Sequence, residues 1–248
     1  MKAIILAAGY ATRLYPLTLN TPKPLLPING TPMIDYIVKQ INEIKEVDKI
    51  IVVTNDKFFQ QFELWSNTVK SRAYISVIND GTTSEETRLG AIGDIDFVIE
   101  KENLDDDLLI VAGDNFNDFS LVDYVSFFKK HKKDCVCAVT IDDPEEIKRF
   151  AVAVVDENQK IIDFVEKPQK PVSNLAVTAM YIYLRETVPL IKTYLSSGGI
   201  KDAPGNFPAW LYTRKDVIAY TAKGIWYDIG TKETYEEVNN MFSNPSKK

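Results

Sequence analysis

Three stretches of the chain carry side chains that could act together on a phosphate. The first follows an apolar run, KAIILAA, and places Gly9, Arg13 and Lys23 in one loop-like segment, GYATRLYPLTLNTPKPLLPI. A glycine directly after a strand lets backbone amides approach an anion, and a cationic side chain beyond it can clamp that anion. The segment is no P-loop, because GKS or GKT is missing. Two cations ten residues apart suit an extended polyphosphate better than a single phosphate cradle. Pro16, Pro22, Pro24 and Pro27 fix φ along it and lower the entropy lost when it orders around a ligand. By spacing alone, Arg13 and Lys23 read equally well as solvated loop charges.

The second stretch, VAGDN, ends an apolar strand with Asp114. A carboxylate at the carboxyl end of a strand is placed to hold Mg²⁺, which takes one or two carboxylates together with substrate phosphate oxygens. Asp228 in WYDIGT, flanked by Trp226 and followed by Gly230 and Thr231, is a second such carboxylate if the two converge. The third stretch is VEKP, where Glu166 offers an acceptor for hydroxyls and Lys167 a donor for a phosphate. Asp105 to Asp107 read as a solvated charge run.

Positioning these groups requires a scaffold, and its periodicity is visible. Strand-like runs alternate with helical patterns: KAIILAA, PMIDYIVKQINEI, KIIVVTN, KFFQQFELWSNTV, AYISVIN, LGAIGDIDFVIEK and DLLIVAGDN. That order predicts parallel βαβ units with helices on both faces of a sheet. Thr31 is the expected N-cap of the first helix, with Pro32 in its first turn. Beyond about residue 140 the pattern changes to strand pairs, AVAVVDENQKIIDFVEK and LAVTAMYIYL, then a helix over TVPLIKTYL, a hairpin or strand pair over VIAYTAKGIWYDIG, and a last polar helix, KETYEEVNNMF. The expected fold class is α/β: a Rossmann-like, mostly parallel mixed sheet with an antiparallel extension, whose ligand crevice lies outside the carboxyl ends of the strands. Phe58, Phe59, Phe62 and Trp65 read as packing against that sheet.

Composition narrows the function classes. A net charge of −6 and a pI near 5 argue against a general nucleic-acid binder, while leaving room for a local cationic anion site. No window approaches the ~20 apolar residues of a membrane span, and no secretory signal is visible. Cys135 and Cys137 share one face of a strand, where a bridge would be strained, and His131 stands alone among lysines. Buried thiols in a reducing cytoplasm are therefore expected.

The motifs AAGYATRLYPLTLNTPKPLLPI, AGDN, EKP followed by SNLAVTAMYIY, and WYDIGT, in that order, resemble the sugar-1-phosphate nucleotidyltransferase family, nearest to its glucose-1-phosphate thymidylyltransferase-like branch. The resemblance implies a nucleotide-diphospho-sugar transferase fold over residues 1–242, and the polar SNPSKK, 243–248, reads as a disordered tail. It implies Mg²⁺-dependent joining of a nucleoside triphosphate to a hexose 1-phosphate, glucose 1-phosphate with dTTP or UTP, and release of pyrophosphate. Its expected partners are those two substrates, without nucleic acid or membrane, and self-association stays open. Leu6, Ala8, Gly9, Gly81 and Gly90 would contact the nucleotide, with Thr82 and Arg88 near its base or ribose. Arg13 would hold the β and γ phosphates, Lys23 the phosphates near the transfer centre, and Lys167 the sugar phosphate. Asp114 and Asp228 would hold the metal, and Glu166, Ala151, Thr178 and Ala179 would line the sugar site.

Several departures qualify the substrates. LGAIGDI resembles an LGTAGAL-like pattern, in which Gly90 and Gly93 let a helix start approach the nucleotide, but the glutamine and proline-rich base signature of the branch is absent. Alanine replaces expected glycines at Ala11, Ala151 and Ala179. KDAPGNFPAWL replaces a GELE-like segment, with Asp202 and Gly205 as loop formers near the sugar. Cytidylyl or guanylyl transfer to another sugar or to a non-sugar phosphate, or a silent nucleotide-sugar-binding regulatory relative, remain alternatives. No appended acetyltransferase or trimerisation module is expected.

Overall fold

Short β-branched runs buried on both faces build the centre of the molecule, as parallel strands covered by helices must. The computed structural model describes residues 1–243. The elements run β1 (Lys2–Leu6), β2 (Pro27–Ile28), β3 (Thr31–Pro32), α1 (Met33–Asn42), β4 (Lys49–Thr54), α2 (Phe59–Ser66) and β5 (Tyr74–Asn79). Then come α3 (Ala91–Glu102), β6 (Leu108–Ala112), β7 (Asn115–Asn117), α4 (Leu121–His131), β8 (Asp134–Thr140), β9 (Ala151–Val155), β10 (Ile161–Glu166) and β11 (Leu175–Tyr183). The chain closes with α5 (Val188–Ser196), α6 (Asn206–Leu211), β12 (Val217–Thr221), β13 (Trp226–Asp228) and α7 (Lys232–Ser243). The tail expected from residue 243 falls, from 244 onward, outside the described residues.

β5, β4, β1 and β6 lie side by side and parallel. Alternation along them separates two cores: Ile4, Ile51 and Ile110 face α3 and α5, while Ile5, Val52 and Val111 face α1 and α4. β11 continues the sheet antiparallel to β6, and β9 and β10 extend it as an antiparallel pair. β11 is also where the sheet forks. On one side it pairs with β8 along most of its length; on the other, Met180–Tyr183 pair with β6 and Leu175–Val177 with β9. The register breaks between Val177 and Tyr181, and Ala179 inside the break is left-handed at φ 53°. The prongs of this fork, with the loops after β1 and β6, enclose a cleft near the strand ends.

A third, smaller core ties the proline-rich loop to the end of the chain. Leu14, Leu26 and Ile28 pack with Met33, Phe116, Ile229 and Val238. The loop is thus held on α7 and β13. It forms two short 3₁₀ turns, Thr12–Leu14 and Lys23–Leu25.

The α/β class, the parallel half and the antiparallel extension match the sequence expectation. Four local features differ. Thr31 does not cap α1: it pairs with Ile28 in the short β2–β3 ladder, and the helix begins after Pro32 without a side-chain cap. VIAYT and WYD do not pair with each other, because β12 joins β8 in parallel and β13 pairs antiparallel with β7. Part of KDAPGNFPAWL is helical, its Phe207 and Leu211 buried in the core below α5. α4, capped by the Ser120 hydroxyl accepting the Asp123 N–H at 3.1 Å, is an element the pattern did not single out. Cys135 and Cys137 are free and buried in one core, as expected, and Phe58, Phe62 and Trp65 pack in that core as well. Among the described residues no helix is long and apolar enough to cross a membrane.

Gly113 shows how closely the loops after β1 and β6 approach. A Cβ there would lie 2.8 Å from the Leu6 carbonyl oxygen, whereas one on Gly9 meets no atom within 4 Å. Gly113→Ala is expected to lose about 1–3 kcal/mol of stability in urea unfolding, because a fixed backbone oxygen must move. Gly9→Ala should be close to neutral; equal losses in the two variants would contradict this packing.

Candidate active site

The β7–β13 ladder brings the two expected carboxylates together. Asp228 pairs with Asn115 in register, and the Ile229 N–H donates to the Asp114 carbonyl at 3.2 Å. Lys23, 8% exposed, reaches into this corner from the proline-rich loop. Its Nζ lies 2.5 Å from Asp114 Oδ2 and donates to the Ile229 carbonyl at 2.8 Å. Burial alone would raise the Asp114 carboxyl, but Lys23 outweighs it, helped by the Asn115 amide donating at 3.0 Å, and holds it below the usual carboxylate range. Burial and the Asp114 charge push Asp228 upward, against the pull of Lys23, Arg149 and Arg13. No hydrogen bond reaches the Asp228 carboxylate among the described residues. Arg13 stands on the other side of Gly230: a Cβ on that glycine would lie 3.7 Å from Asp228 Oδ2 and 3.9 Å from Arg13 Nη2.

A cleft of about 460 Å³ extends from this corner, with Arg13, Asp114 and Asp228 in its wall. At one end lie Leu6, Ala8, Gly9 and Gly90, at the start of α3. Gly90, at φ 80°, must be glycine: a Cβ would sit 2.8 Å from the backbone of Lys201. The other end lies in the sheet fork, where Ala151, Glu166, Lys167 and Ala179 gather. Glu166 is raised by its burial, opposed by the Lys167 ammonium 4.0 Å away. Gly205 packs directly against the Glu166 carboxylate, so the segment after α5 closes this end. Arg88, also in the cleft wall, binds Asp202 through Nε at 3.2 Å and Nη2 at 3.1 Å, and pairs with Glu85.

Most of the sequence-picked residues therefore converge, but Thr178, Gly81, Thr82, Gly93 and Lys23 are not among the residues of the cleft wall. Thr178 does not line the cleft; the break in β11 turns its hydroxyl into the core, where it donates to the Cys137 carbonyl at 3.1 Å. Gly81, at φ 78°, shapes the turn after β5 rather than the cleft wall. Lys23 acts from behind Asp114 rather than from the cleft surface. The alanines in place of expected glycine matter through backbone conformation: Ala11 at φ 49° and Ala179 at φ 53° are both left-handed, as is Lys167 at φ 48°. Each such residue costs on the order of 1 kcal/mol.

Two residues of the site escaped the sequence reading. Arg149 lines the cleft, lies 5.5 Å from the Phe150 ring centroid, and adds positive charge toward Asp228. Phe150 in turn packs edge-on to Trp226 at 4.8 Å, and the Trp226 indole donates to Asn115 Oδ1 at 2.5 Å. Asp94, in the first turn of α3, lines the Gly90 end of the cleft and is pushed up to about 8 by burial and by Asp80. The signal was present, since Asp94 stands where the LGTAGAL-like pattern has alanine. Among the described residues no group of three or more His, Cys, Asp or Glu converges as a metal cage.

A family model described as Nucleotidyl transferase matches residues 2–244. The chain belongs to the nucleotidyl transferase family. A protein of Sulfolobus acidocaldarius provisionally named mannose-1-phosphate guanyltransferase is 34% identical over 246 residues, covering 96% of this chain and 62% of that protein. This nucleotidyl transferase chain thus spans under two thirds of that relative's length. A solved Bacillus anthracis structure provisionally named glucose-1-phosphate thymidylyltransferase, in complex with a sucrose, is 26% identical, with a TM-score of 0.77 over 97% of this chain and 94% of that one. The fold also matches UDP-glucose pyrophosphorylase complexed with UDP-glucose, at 23% identity and a TM-score of 0.83 over 98% of each chain. The nucleotide-diphospho-sugar transferase fold expected from the motifs is the fold this nucleotidyl transferase has.

Asp94 gives a stability prediction with a definite sign. The folded state keeps a proton to about pH 8 that the unfolded chain releases near 3.8, so this group favours folding most in acid and loses that contribution as pH rises. Relative to Asp94→Asn, wild-type stability should fall by up to ~1.4 kcal/mol per pH unit between about pH 4 and pH 8, then level off. Urea unfolding of both proteins across that range checks it; parallel curves would contradict the buried protonated carboxyl.

Proposed function

We propose that residues 1–242 form one nucleotidyltransferase domain that joins a nucleoside triphosphate to a hexose 1-phosphate and releases pyrophosphate. The observation that carries this reading is the convergence of Asp114, Asp228, Lys23 and Arg13 at one corner of a cleft whose far end holds Glu166 and Lys167. A phosphate oxygen of the sugar phosphate attacks the α-phosphorus, forming one P–O bond as the bond to the bridging oxygen of the leaving pyrophosphate breaks. The attacking oxygen is already ionised, so no base is needed. The demand is to bring two polyanions together, which requires charge neutralisation and alignment.

Each charged residue has a role in that task. Arg13 grips the β and γ phosphates that leave, and Lys23 sets the charge at the transfer centre. Arg149, on the Phe150 side of the cleft, adds a further cation for phosphate oxygens. Lys167 holds the sugar phosphate, and Glu166 accepts hydrogen bonds from sugar hydroxyls. The donor set fits Mg²⁺: two adjacent carboxylates, one of them without a hydrogen-bond donor and raised by its neighbour's charge, favour a hard divalent cation completed by phosphate oxygens. Asp114 and Asp228 would hold that ion, which supplies charge neutralisation at the α-phosphate.

The motif resemblance favours glucose 1-phosphate with dTTP or UTP. A second reading of the base is GTP. The name of the Sulfolobus acidocaldarius relative points the same way.

Pyrophosphate release, measured over four nucleoside triphosphates and several hexose 1-phosphates with Mg²⁺, tests the reaction. Asp114→Ala is expected to reduce turnover of the active pair by at least about a hundredfold. Lys167→Ala should act chiefly by raising KM for the sugar phosphate. If no pair turned over above the Asp114→Ala background, the reading would be abandoned.

A further inference from the structure

The main path of the sheet ends in two edge strands, β10 and β5, and only one of them is guarded. β10 carries Asp163 and Glu166, its register is broken between Ile161 and Asp163, and α6 packs against it. Charges, bulges and covering helices are the usual devices that stop an edge from pairing with another chain. β5, YISVIN, has none of them: it holds no charge and no proline, and pairs with β4 in unbroken register from Tyr74 to Asn79. Tyr74 is 68% exposed, and Ile75 and Val77 line a groove of about 730 Å³ between the strand and α2. The Tyr74 N–H donates inward to the Asp48 carbonyl at 3.0 Å and the Asp80 N–H to Thr54 at 2.9 Å. Alternate residues of a parallel ladder face the neighbouring strand, so Ile75, Val77 and Asn79 turn their backbone groups outward.

The groups that remain free on this edge define a centre. The Asn79 carbonyl is already met by the Lys101 ammonium at 3.5 Å. Ala73, the next outward residue in the other direction, receives the Ser71 hydroxyl on its carbonyl at 2.7 Å and donates its N–H to Asn42 Oδ1 at 3.4 Å. Only Ile75 and Val77 are left, placed symmetrically about Ser76. The charges beside the strand are also divided end from end. Lys70 and Arg72 precede it, whereas buried Asp80 and exposed Asp56, which accepts from the Asn79 amide at 2.8 Å, stand at its carboxyl end. None of these four has an ion-pair partner among the described residues. The neighbouring Lys57 and Lys101 lie over the Phe58 and Phe97 rings.

We propose that β5 is the edge through which this chain self-associates: a second copy adds its own β5 antiparallel about a two-fold axis at Ser76, and the two sheets become one. In that register Ile75 faces Val77 of the second copy, and each such pair exchanges both of its backbone hydrogen bonds, which uses every free group on the edge. Ser76 meets its own copy at a position without hydrogen bonds, and the exposed Tyr74 ring lies across from Ile78 of the second copy, an aromatic against a β-branched side chain. The cationic end of each strand comes beside the acidic end of the other, as a two-fold requires of a self-complementary patch. Pairing centred on Ile75 or Val77 would instead call on Ala73 or Asn79, whose groups are occupied. The cleft opens at the strand ends and takes no part in this contact.

Sedimentation velocity across a dilution series, joined to cross-linking, tests the edge and its register. Wild type should sediment with twice the 28.1 kDa of one chain. Ser76→Lys, which sets like charges directly opposite, and Val77→Pro, which removes an outward donor and spares the β4 ladder, should each weaken association at least about tenfold. Ile162→Lys on the guarded β10 edge should leave it unchanged. Ser76→Cys supplies a check that does not depend on a disruptive variant keeping its fold. Two such residues would lie with Cα atoms about 4.5 Å apart, within disulfide range, and should cross-link copy to copy under oxygen with a copper catalyst. Tyr74→Cys, about 14 Å from its counterpart in the same register, should not. The native Cys135 and Cys137 are buried and do not compete. A wild type that stays a monomer, a dimer indifferent to both β5 substitutions, or cross-linking as strong at Tyr74→Cys as at Ser76→Cys would overturn the proposal.

Discussion

Two carboxylates placed side by side repel each other, and the site is organised around that repulsion. The β7–β13 ladder leaves Asp114 and Asp228 no way to separate, and Lys23 neutralises one of them from behind. What remains is a carboxylate raised by its neighbour, open to the cleft, and facing Arg13 and Arg149. The arrangement places negative charge at the corner and, immediately beyond it, positive charge. A metal bound to a polyphosphate satisfies both requirements at once.

The fold supplies the rigidity that this tension demands. Lys23 is placed by a loop that packs on β13 and α7 through Leu14, Leu26, Ile229 and Val238, so the cation and the carboxylate share one small core. The cleft opens because β11 pairs with β6 and then with β9, and the break between them is bridged by a left-handed Ala179. Left-handed Ala11 and Lys167 stand at other points of the same wall or its approach. Strain of this kind persists only where surrounding structure enforces it, and Lys167 and Ala179 carry it in the cleft wall, while Asn29, Asn103, Lys132 and Gln159 carry it elsewhere.

Much of this was legible in the sequence, for identifiable reasons. Strand and helix periodicity is local, so the parallel half of the sheet could be read from β-branched runs alone. Arg13, Lys23, Asp114, Lys167 and Asp228 stood out because each is a charged residue beside a strand end, glycine or proline. What could not be read depended on distant partners. The strand bearing Asp228 pairs with Asn115–Asn117, more than a hundred residues earlier, and not with its sequence neighbour. Thr178 was misplaced because a break in pairing, invisible in period-two alternation, turned its side chain to the core. Asp94 lies in a helical pattern, and its burial depends on the turn at Gly90 and on the loop carrying Asp80.

The central claim is that Asp114 and Asp228 together hold a divalent ion on the substrate's phosphates. Its most direct test is the enhancement of water-proton relaxation by Mn²⁺ titrated into the protein with nucleoside triphosphate, for wild type, Asp114→Asn and Asp228→Asn. The account predicts a ternary complex in wild type that each substitution weakens by at least about tenfold. Unchanged Mn²⁺ affinity in both variants would contradict it.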